Sequence, residues 1–207
     1  MTSPVLYRGA EAEIRVSDYL GMEVVQKRRL PKHYRIPEID RALISYRTRE
    51  ESKLFLEARA AGVSVPLIYD VDLQAGVITM EYVKGKRVKD ILNTLSELDR
   101  RHLCQLIGRS IGLLHSHDII HGDITTSNMI LSDGCVTFID FGLGCKSIEL
   151  EAKGVDLHVL MEAFESTHSQ RPGCFQDTFI GYRQEFVGDA DAVLKKIEEI
   201  VQRGRYR

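Results

Sequence analysis

Asp123, Asn128 and Asp140 are hard oxygen donors standing where a folding argument alone would not place them. Asp123 and Asn128 are five residues apart in a loop that precedes the apolar run Met129-Ile130-Leu131, and Asp140 closes a second apolar run, Cys135 to Ile139, inside Asp140-Phe141-Gly142. Ser132-Asp133-Gly134 joins the two runs, so the stretch predicts a small hairpin whose closure gathers all three side chains. Two carboxylates and a carboxamide at one end of a hairpin repel and desolvate one another unless a cation sits between them. All-oxygen donors of this kind suit Mg²⁺, which keeps several waters and shares its coordination with substrate phosphates.

The same stretch, Ile119 to Gly142, resembles the catalytic loop and metal loop of protein kinases. In those enzymes the first Asp accepts the substrate proton while the Asn and the Asp-Phe-Gly acid hold Mg²⁺. The resemblance makes Asp123 the candidate base and Asn128 and Asp140 the candidate metal ligands. Taken singly, His-Gly-Asp and Asp-Phe-Gly are also compatible with ordinary turns; the two together at this separation are far more specific.

Such chemistry needs elements that hold a nucleotide. From Val5 to Gln26 the alternation predicts a β-hairpin that turns at Tyr19-Leu20-Gly21, with Gly9 and Ala10 at the place of a phosphate-covering loop. That loop has one glycine and no G-x-G-x-x-G, so a plain turn remains open there. Lys27 follows, where strand character is expected to give way to loop, and opens the basic cluster Lys27 to Arg35. By position and residue type it is the candidate phosphate-binding lysine, while the rest of the cluster reads as a solvated face or a polyanion patch. A helix is predicted from Pro37 to Ala61, stopped by Gly62. Within it Glu51 lies beside Ile44, Leu54, Phe55 and Ala58, an expensive position for an acid without a partner. Lys27 is the expected partner, with Arg47 or a snorkelling carboxylate as the alternative. Glu81, Tyr82 and Val83, at the end of a second strand, are candidates for hinge contacts to adenine.

Ser96-Glu97-Leu98-Asp99 has capping-box spacing and starts a helix whose apolar face includes Leu103, Ile107, Ile111 and Leu114. His115 and His117 at its end read as packing or dipole-complementing residues. The segment from Gly142 to Gly154 reads as a short connection, with no Ala-Pro-Glu motif after it and so no visible peptide platform. Asp156, set among Val155, Leu157, Val159 and Leu160, needs partners, which by the kinase analogy are catalytic-loop N–H groups. Helical stretches are expected around Leu157 to Phe164 and Asp189 to Val201. The terminal Arg203-Gly204-Arg205-Tyr206-Arg207 is expected either as a polyanion-seeking arm or as a frayed solvated end.

The net charge of −2 argues against indiscriminate coating of nucleic acid, and a 43% hydrophobic content supports a real core. The four cysteines form no C-x-x-C pair, which points away from a zinc site or a disulfide framework and toward a reducing compartment. Without a leader-like amino terminus or a run of eighteen apolar residues, a cytoplasmic, membrane-free protein is expected.

Taken together, Gly9-Ala10-Glu11-Ala12, Lys27 with Lys32, Tyr34 and Arg35, Arg47-Thr48 with Glu51, His121-Gly122-Asp123-Ile124-Thr125-Thr126-Ser127-Asn128, Ile139 to Gly144, Val155-Asp156-Leu157 and the Arg-Gly-Arg tail resemble the PRPK-type atypical kinase of the KEOPS (EKC) complex along the whole chain. Departures are small: Ile124 stands where the family usually has Leu, and Glu149 to Lys153 matches only loosely. The resemblance implies an α+β, minimal two-lobed kinase fold, with residues 1–83 as the amino-terminal lobe and 84–207 as the carboxyl-terminal lobe. It further implies Mg-ATP binding, autophosphorylation on serine or threonine, and an ATPase role supporting threonylcarbamoylation of a tRNA adenosine. The implied partners are the threonylcarbamoyl-transferase subunit on the carboxyl-terminal lobe, a small helical subunit on the amino-terminal lobe, and tRNA through the assembled complex and the basic tail. Competing readings are a small-molecule kinase of the aminoglycoside or choline type, for which the chain after Gly142 is short, and a catalytically weak scaffold bridging a partner and tRNA.

Overall fold

The computed structural model describes residues 5–9 and 11–205; residues 1–4, Ala10, Tyr206 and Arg207 lie outside the described residues. The chain divides into two compact units, residues 1–56 with 66–84, and residues 57–65 with 85–207.

The first unit is built on an antiparallel sheet. Strands β1 (Val5–Arg8), β2 (Ala12–Tyr19), β3 (Met22–Arg29), β4 (Ile68–Asp72) and β5 (Val77–Glu81) pair in the order β1-β2-β3-β5-β4. Leu20 and Gly21, with φ of 55° and 80°, make the two-residue turn that matches the twist of β2 and β3. The ladder between them runs unbroken from Tyr19↔Met22 to Ala12↔Arg29. Strand β3 therefore carries two residues beyond Lys27, and the expectation that the strand ends at Lys27 is corrected. Charge does not stop the ladder because β5 pairs the same stretch, with Lys27 opposite Ile78 and Arg28 opposite Val77.

Helix α1 (Pro37–Ala60) opens on a proline, whose missing N–H is no loss in the first turn, and carries Glu38 and Asp40 there. It stops as expected at Gly62, φ 86°. Asp40 accepts from the Lys32 backbone N–H at 3.0 Å and from Arg35 at 3.1 Å, and these bonds, the backbone one foremost, hold its carboxyl below the usual range. Arg35 is thus tied to the start of α1 instead of standing on an open basic patch.

In the second unit α2 (Val88–Ile91) follows the short strand β6 (Lys86–Arg87), and α3 (Glu97–Ser116) starts at Ser96, whose hydroxyl accepts from the Asp99 N–H at 3.2 Å. Strands β8 (Met129–Ser132) and β9 (Cys135–Phe138) form the predicted hairpin across Asp133-Gly134, with β6 on its other side. Strands β7 (Ile119–Ile120) and β10 (Cys145–Lys146) form a separate pair.

Three helices complete this unit: α4 (Leu150–Thr167), α5 (Cys174–Glu185) and α6 (Ala190–Arg205). Helix α4 begins within what reads in the sequence as a connection, and α5 is not among the expected helices. Helices α3 and α5 approach closely enough that a Cβ at Gly108 would lie 1.8 Å from the Thr178 carbonyl oxygen, and one at Gly181 2.0 Å from that of Gln105. The tail is corrected too: through Arg205 it is helix, and Arg203 pairs with Glu151 at 2.8 Å. Among the described residues no helix is long and apolar enough to cross a membrane.

Candidate active site

Two sets of side chains are assembled, one in each unit. In the first, strand alternation puts Lys27 and Arg29 on the same face of β3. Glu51 of α1 meets both, with Oε1 2.6 Å from Lys27 Nζ and Oε2 2.6 Å from Arg29 Nη2. All three side chains are buried, at 7%, 6% and 1% exposure for Lys27, Arg29 and Glu51. The expected Lys27–Glu51 pair is therefore present, and the alternative partner Arg47 binds Glu11 instead, at 2.9 Å. Arg29 is a member that the sequence reading missed. Its signal was the i, i+2 spacing from Lys27, which was hidden by ending the strand two residues early.

Elsewhere in this unit, Gly9 donates its N–H to the Ala12 carbonyl at 2.9 Å. Glu81 ends β5 and is tied twice to Leu67, its N–H donating to the Leu67 carbonyl at 2.8 Å and its carboxylate accepting the Leu67 N–H at 3.1 Å. Tyr82 and Val83 follow it, half-buried.

In the second unit the loop between β7 and β8 carries Asp123 and Asn128. Asn128 Nδ2 donates to the Asp123 carboxylate at 2.9 Å and to the Asp123 carbonyl at 3.0 Å. The Asn128 carbonyl accepts the Ile139 N–H at 3.0 Å, which places Asp140 one residue beyond the rung. Asp140 is fixed in turn, its Oδ1 accepting the Gly142 N–H at 2.7 Å. The loop itself brings Asp123 and Asn128 into direct contact, and the bond from Ile139 to Asn128 sets Asp140 one residue beyond that contact. Asn128 and Asp140 contribute only hard oxygens as available metal donors, a set that fits Mg²⁺.

The loop is held from behind by a buried carboxylate. Asp156 of α4 accepts the His121 and Gly122 N–H groups, each at 2.8 Å, as expected. His115, read in the sequence as a packing or dipole residue, also reaches it, with Nε2 at 3.2 Å and Nδ1 3.1 Å from the Tyr182 hydroxyl. The chain Tyr182–His115–Asp156 therefore links α5, α3 and α4 to the loop. Burial raises the Tyr182 phenol well above its ordinary pKa, so it remains a neutral partner. Gly122 has a φ of 82°, and a Cβ on it would lie 2.2 Å from the Leu143 carbonyl oxygen, so the loop can pass this close to the segment after Phe141 only with glycine there.

His121 is fully buried between Phe138 and Phe141, whose ring centroids lie 5.5 and 4.8 Å away. Burial lowers its pKa against the opposing pull of Asp156, Asp140 and Asp123. Its ring is thus kept neutral and acts as a packed spacer under Phe141.

Known proteins match this chain over most of its length. A RIO domain matches residues 19–166. The KEOPS complex subunit Bud32 of Pyrococcus abyssi is 42% identical over 98% of this chain and 96% of its own length. A probable bifunctional tRNA threonylcarbamoyladenosine biosynthesis protein of Methanothermobacter thermautotrophicus is 46% identical, and this chain spans 36% of its length. Among solved structures, the Rio2 kinase–ADP/Mg²⁺–phosphoaspartate complex of Chaetomium thermophilum aligns with a TM-score of 0.69 at 18% identity, covering 100% of this chain and 71% of that one. WaaP in complex with acyl carrier protein aligns with a TM-score of 0.66 at 14% identity, covering 98% of this chain and 88% of that one. These two likenesses show a kinase-like α+β fold.

Proposed function

We propose, for a chain that belongs to the RIO-domain family and within it to the Bud32-type group, that it is an atypical Mg-ATP-dependent phosphotransferase and ATPase serving tRNA threonylcarbamoylation in a KEOPS assembly. The observation that carries this reading is the Asp123–Asn128–Asp140 arrangement. Asn128 directs its Nδ2 to Asp123, and Asn128 Oδ1 and the Asp140 carboxylate are the oxygens that would hold Mg²⁺. Bound there, Mg²⁺ would neutralise phosphate charge. Asp123, steadied by the same amide, orients the hydroxyl or water that attacks the γ-phosphoryl group and takes up its proton. Lys27, oriented by Glu51, holds the nucleotide phosphates, Gly9 and Ala10 belong to the covering loop, and Glu81, Tyr82 and Val83 meet the adenine edge.

Residues 1–83 then serve as the nucleotide-handling lobe and residues 84–207 as the lobe that carries base and metal ligands. The proposed partners are the threonylcarbamoyl-transferase subunit and tRNA on the second and a small helical subunit on the first. The proposed protein acceptors are serine and threonine, and the proposed location is the cytoplasm. Gly122 stands where many kinases carry the arginine that reads a phosphorylated activation loop, which supports an enzyme without that switch.

The test follows γ-labelled ATP in the wild type and in Asp123→Ala, alone and with the transferase subunit and tRNA. Label released mainly as free phosphate once partners are added, and lost in the variant, is the expected result. Label accumulating on a protein partner would make it a protein kinase first, and turnover independent of Asp123 would sink the assignment.

A further inference from the structure

We infer that Arg29 is a positioning residue: it keeps Glu51 and helix α1 docked on strand β3 while Lys27 is shared between Glu51 and a phosphate. The inference rests on the reading of Lys27 as the phosphate ligand.

Glu51 has no water to fall back on, since its side chain is 1% exposed. A buried carboxylate with a single cation is left uncompensated whenever that cation turns to another anion, and this is costly. Here each carboxylate oxygen has its own cation at 2.6 Å. When Lys27 is drawn to phosphate, Glu51 still holds a charge-assisted bond to Arg29.

Arg29 itself has little freedom to leave. Its N–H donates to the Gly76 carbonyl at 2.9 Å, and its Nη1 lies 3.9 Å from the Glu11 carboxylate, which Arg47 of α1 also holds, at 2.9 Å. The neighbouring Leu30 N–H donates to the Glu11 carbonyl at 3.0 Å. One planar guanidinium thus faces α1 with one Nη and the segment before β2 with the other, a division of labour that a single ammonium cannot reproduce. Its Nε is buried and has no hydrogen-bond partner among the described residues. Buried donors are normally satisfied, so the placement serves the two charged contacts at the expense of the third donor.

The experiment compares amide hydrogen exchange over residues 48–55 in the nucleotide-free wild type, Lys27→Met, Arg29→Met and Arg29→Lys, then measures steady-state ATP turnover for each. Arg29→Met is expected to speed exchange across 48–55 about tenfold while α3 stays unchanged, and Lys27→Met to stay within about threefold of wild type. In turnover, Arg29→Met is expected to raise KM for ATP about tenfold with kcat within about threefold, because a phosphate grip is made in ground state and transition state alike. Arg29→Lys should recover part of both effects. Faster exchange in Lys27→Met than in Arg29→Met, or exchange raised evenly over α1 and α3, would overturn the inference. Should Arg29→Met not fold, Arg29→Lys and the half-exposed Glu11→Gln carry the test, each expected to raise KM about threefold, with an unchanged KM counting against it. The exchange readings need no nucleotide, so they decide the role of Arg29 even if ATP turnover itself fails to appear.

Discussion

Glu51 and Asp156 are both carboxylates withdrawn from water, at 2% and 1% exposure, yet they are compensated in opposite ways. Glu51 is met by two side-chain cations. Asp156 is met by two backbone N–H groups and a histidine. Side-chain cations can be shared with an incoming anion, since they sit on rotatable stems. Backbone donors cannot move without moving the loop itself. Under the proposed function the first acid shares its cations with the nucleotide phosphates, while the second keeps the Asp123 loop still.

The sharpest way to break this contrast is Glu51→Gln. Removing the charge takes from Lys27 and Arg29 the buried carboxylate that both meet at 2.6 Å, which is expected to cost about 3–5 kcal/mol, read from urea unfolding. A loss below about 1 kcal/mol would mean that water or another acid takes over, and the exchangeable reading of Glu51 would fail. Asp156→Asn is expected to cost less, about 1–3 kcal/mol, because one oxygen acceptor survives while the other position becomes a donor facing an N–H. Its functional signature should be a lower kcat at unchanged ATP affinity, since the loop carrying Asp123 loosens and the Lys27 set does not. A matching change in affinity would blur the distinction between the two acids.

The smallest effect concerns pH. Burial lowers the pKa of His121, and burial followed by the Lys89 charge lowers that of His168. Below the ordinary histidine value of 6.5 the unfolded chain takes up protons that the folded chain refuses, so stability is fully present above that pH and falls as pH drops. Each such histidine contributes a slope of up to about 1.4 kcal/mol per pH unit. His121→Phe should flatten the part of the unfolding profile just below pH 6.5, measured by urea titration at several pH values. An unchanged slope would mean that His121 ionises freely in the fold. The carboxylates held low by their partners, such as Asp40 and Glu97, act only lower, below their ordinary values of 3.8 and 4.5.

What the sequence disclosed follows from the range over which each signal acts. The Asp123 to Asp140 hairpin was legible because turn residues and two apolar runs are local. Glu51 was legible because helical neighbours can be counted, and Asp156 because an acid in an apolar run demands partners. Arg29 was not, because strand β3 continues through charged residues whose compensation arrives from α1. His115 looked like a helix-end residue since its partners, Asp156 and Tyr182, lie far along the chain. Helix α5 escaped because it is only twelve residues long and is seated on α3 through glycines, Gly181 against Gln105 and Gly108 against Thr178, and glycine reads in a sequence as a breaker. The helical tail escaped because its arginines resemble a solvated end until Glu151 is placed beside Arg203.

The close seating of α5 on α3 also bears on the order in which the protein is made. Synthesis proceeds from the amino terminus, and domains fold as units while the chain emerges. All of the first unit has been translated by Lys84, whereas the Tyr182 that steadies His115 and Asp156 comes nearly a hundred residues later. A ribosome-bound chain can thus display a finished Lys27–Glu51–Arg29 cluster while the Asp123 loop still lacks its rear support. A nascent chain of this kind would acquire its charge-based half first, and a firmly held Asp123 loop only as translation nears its end.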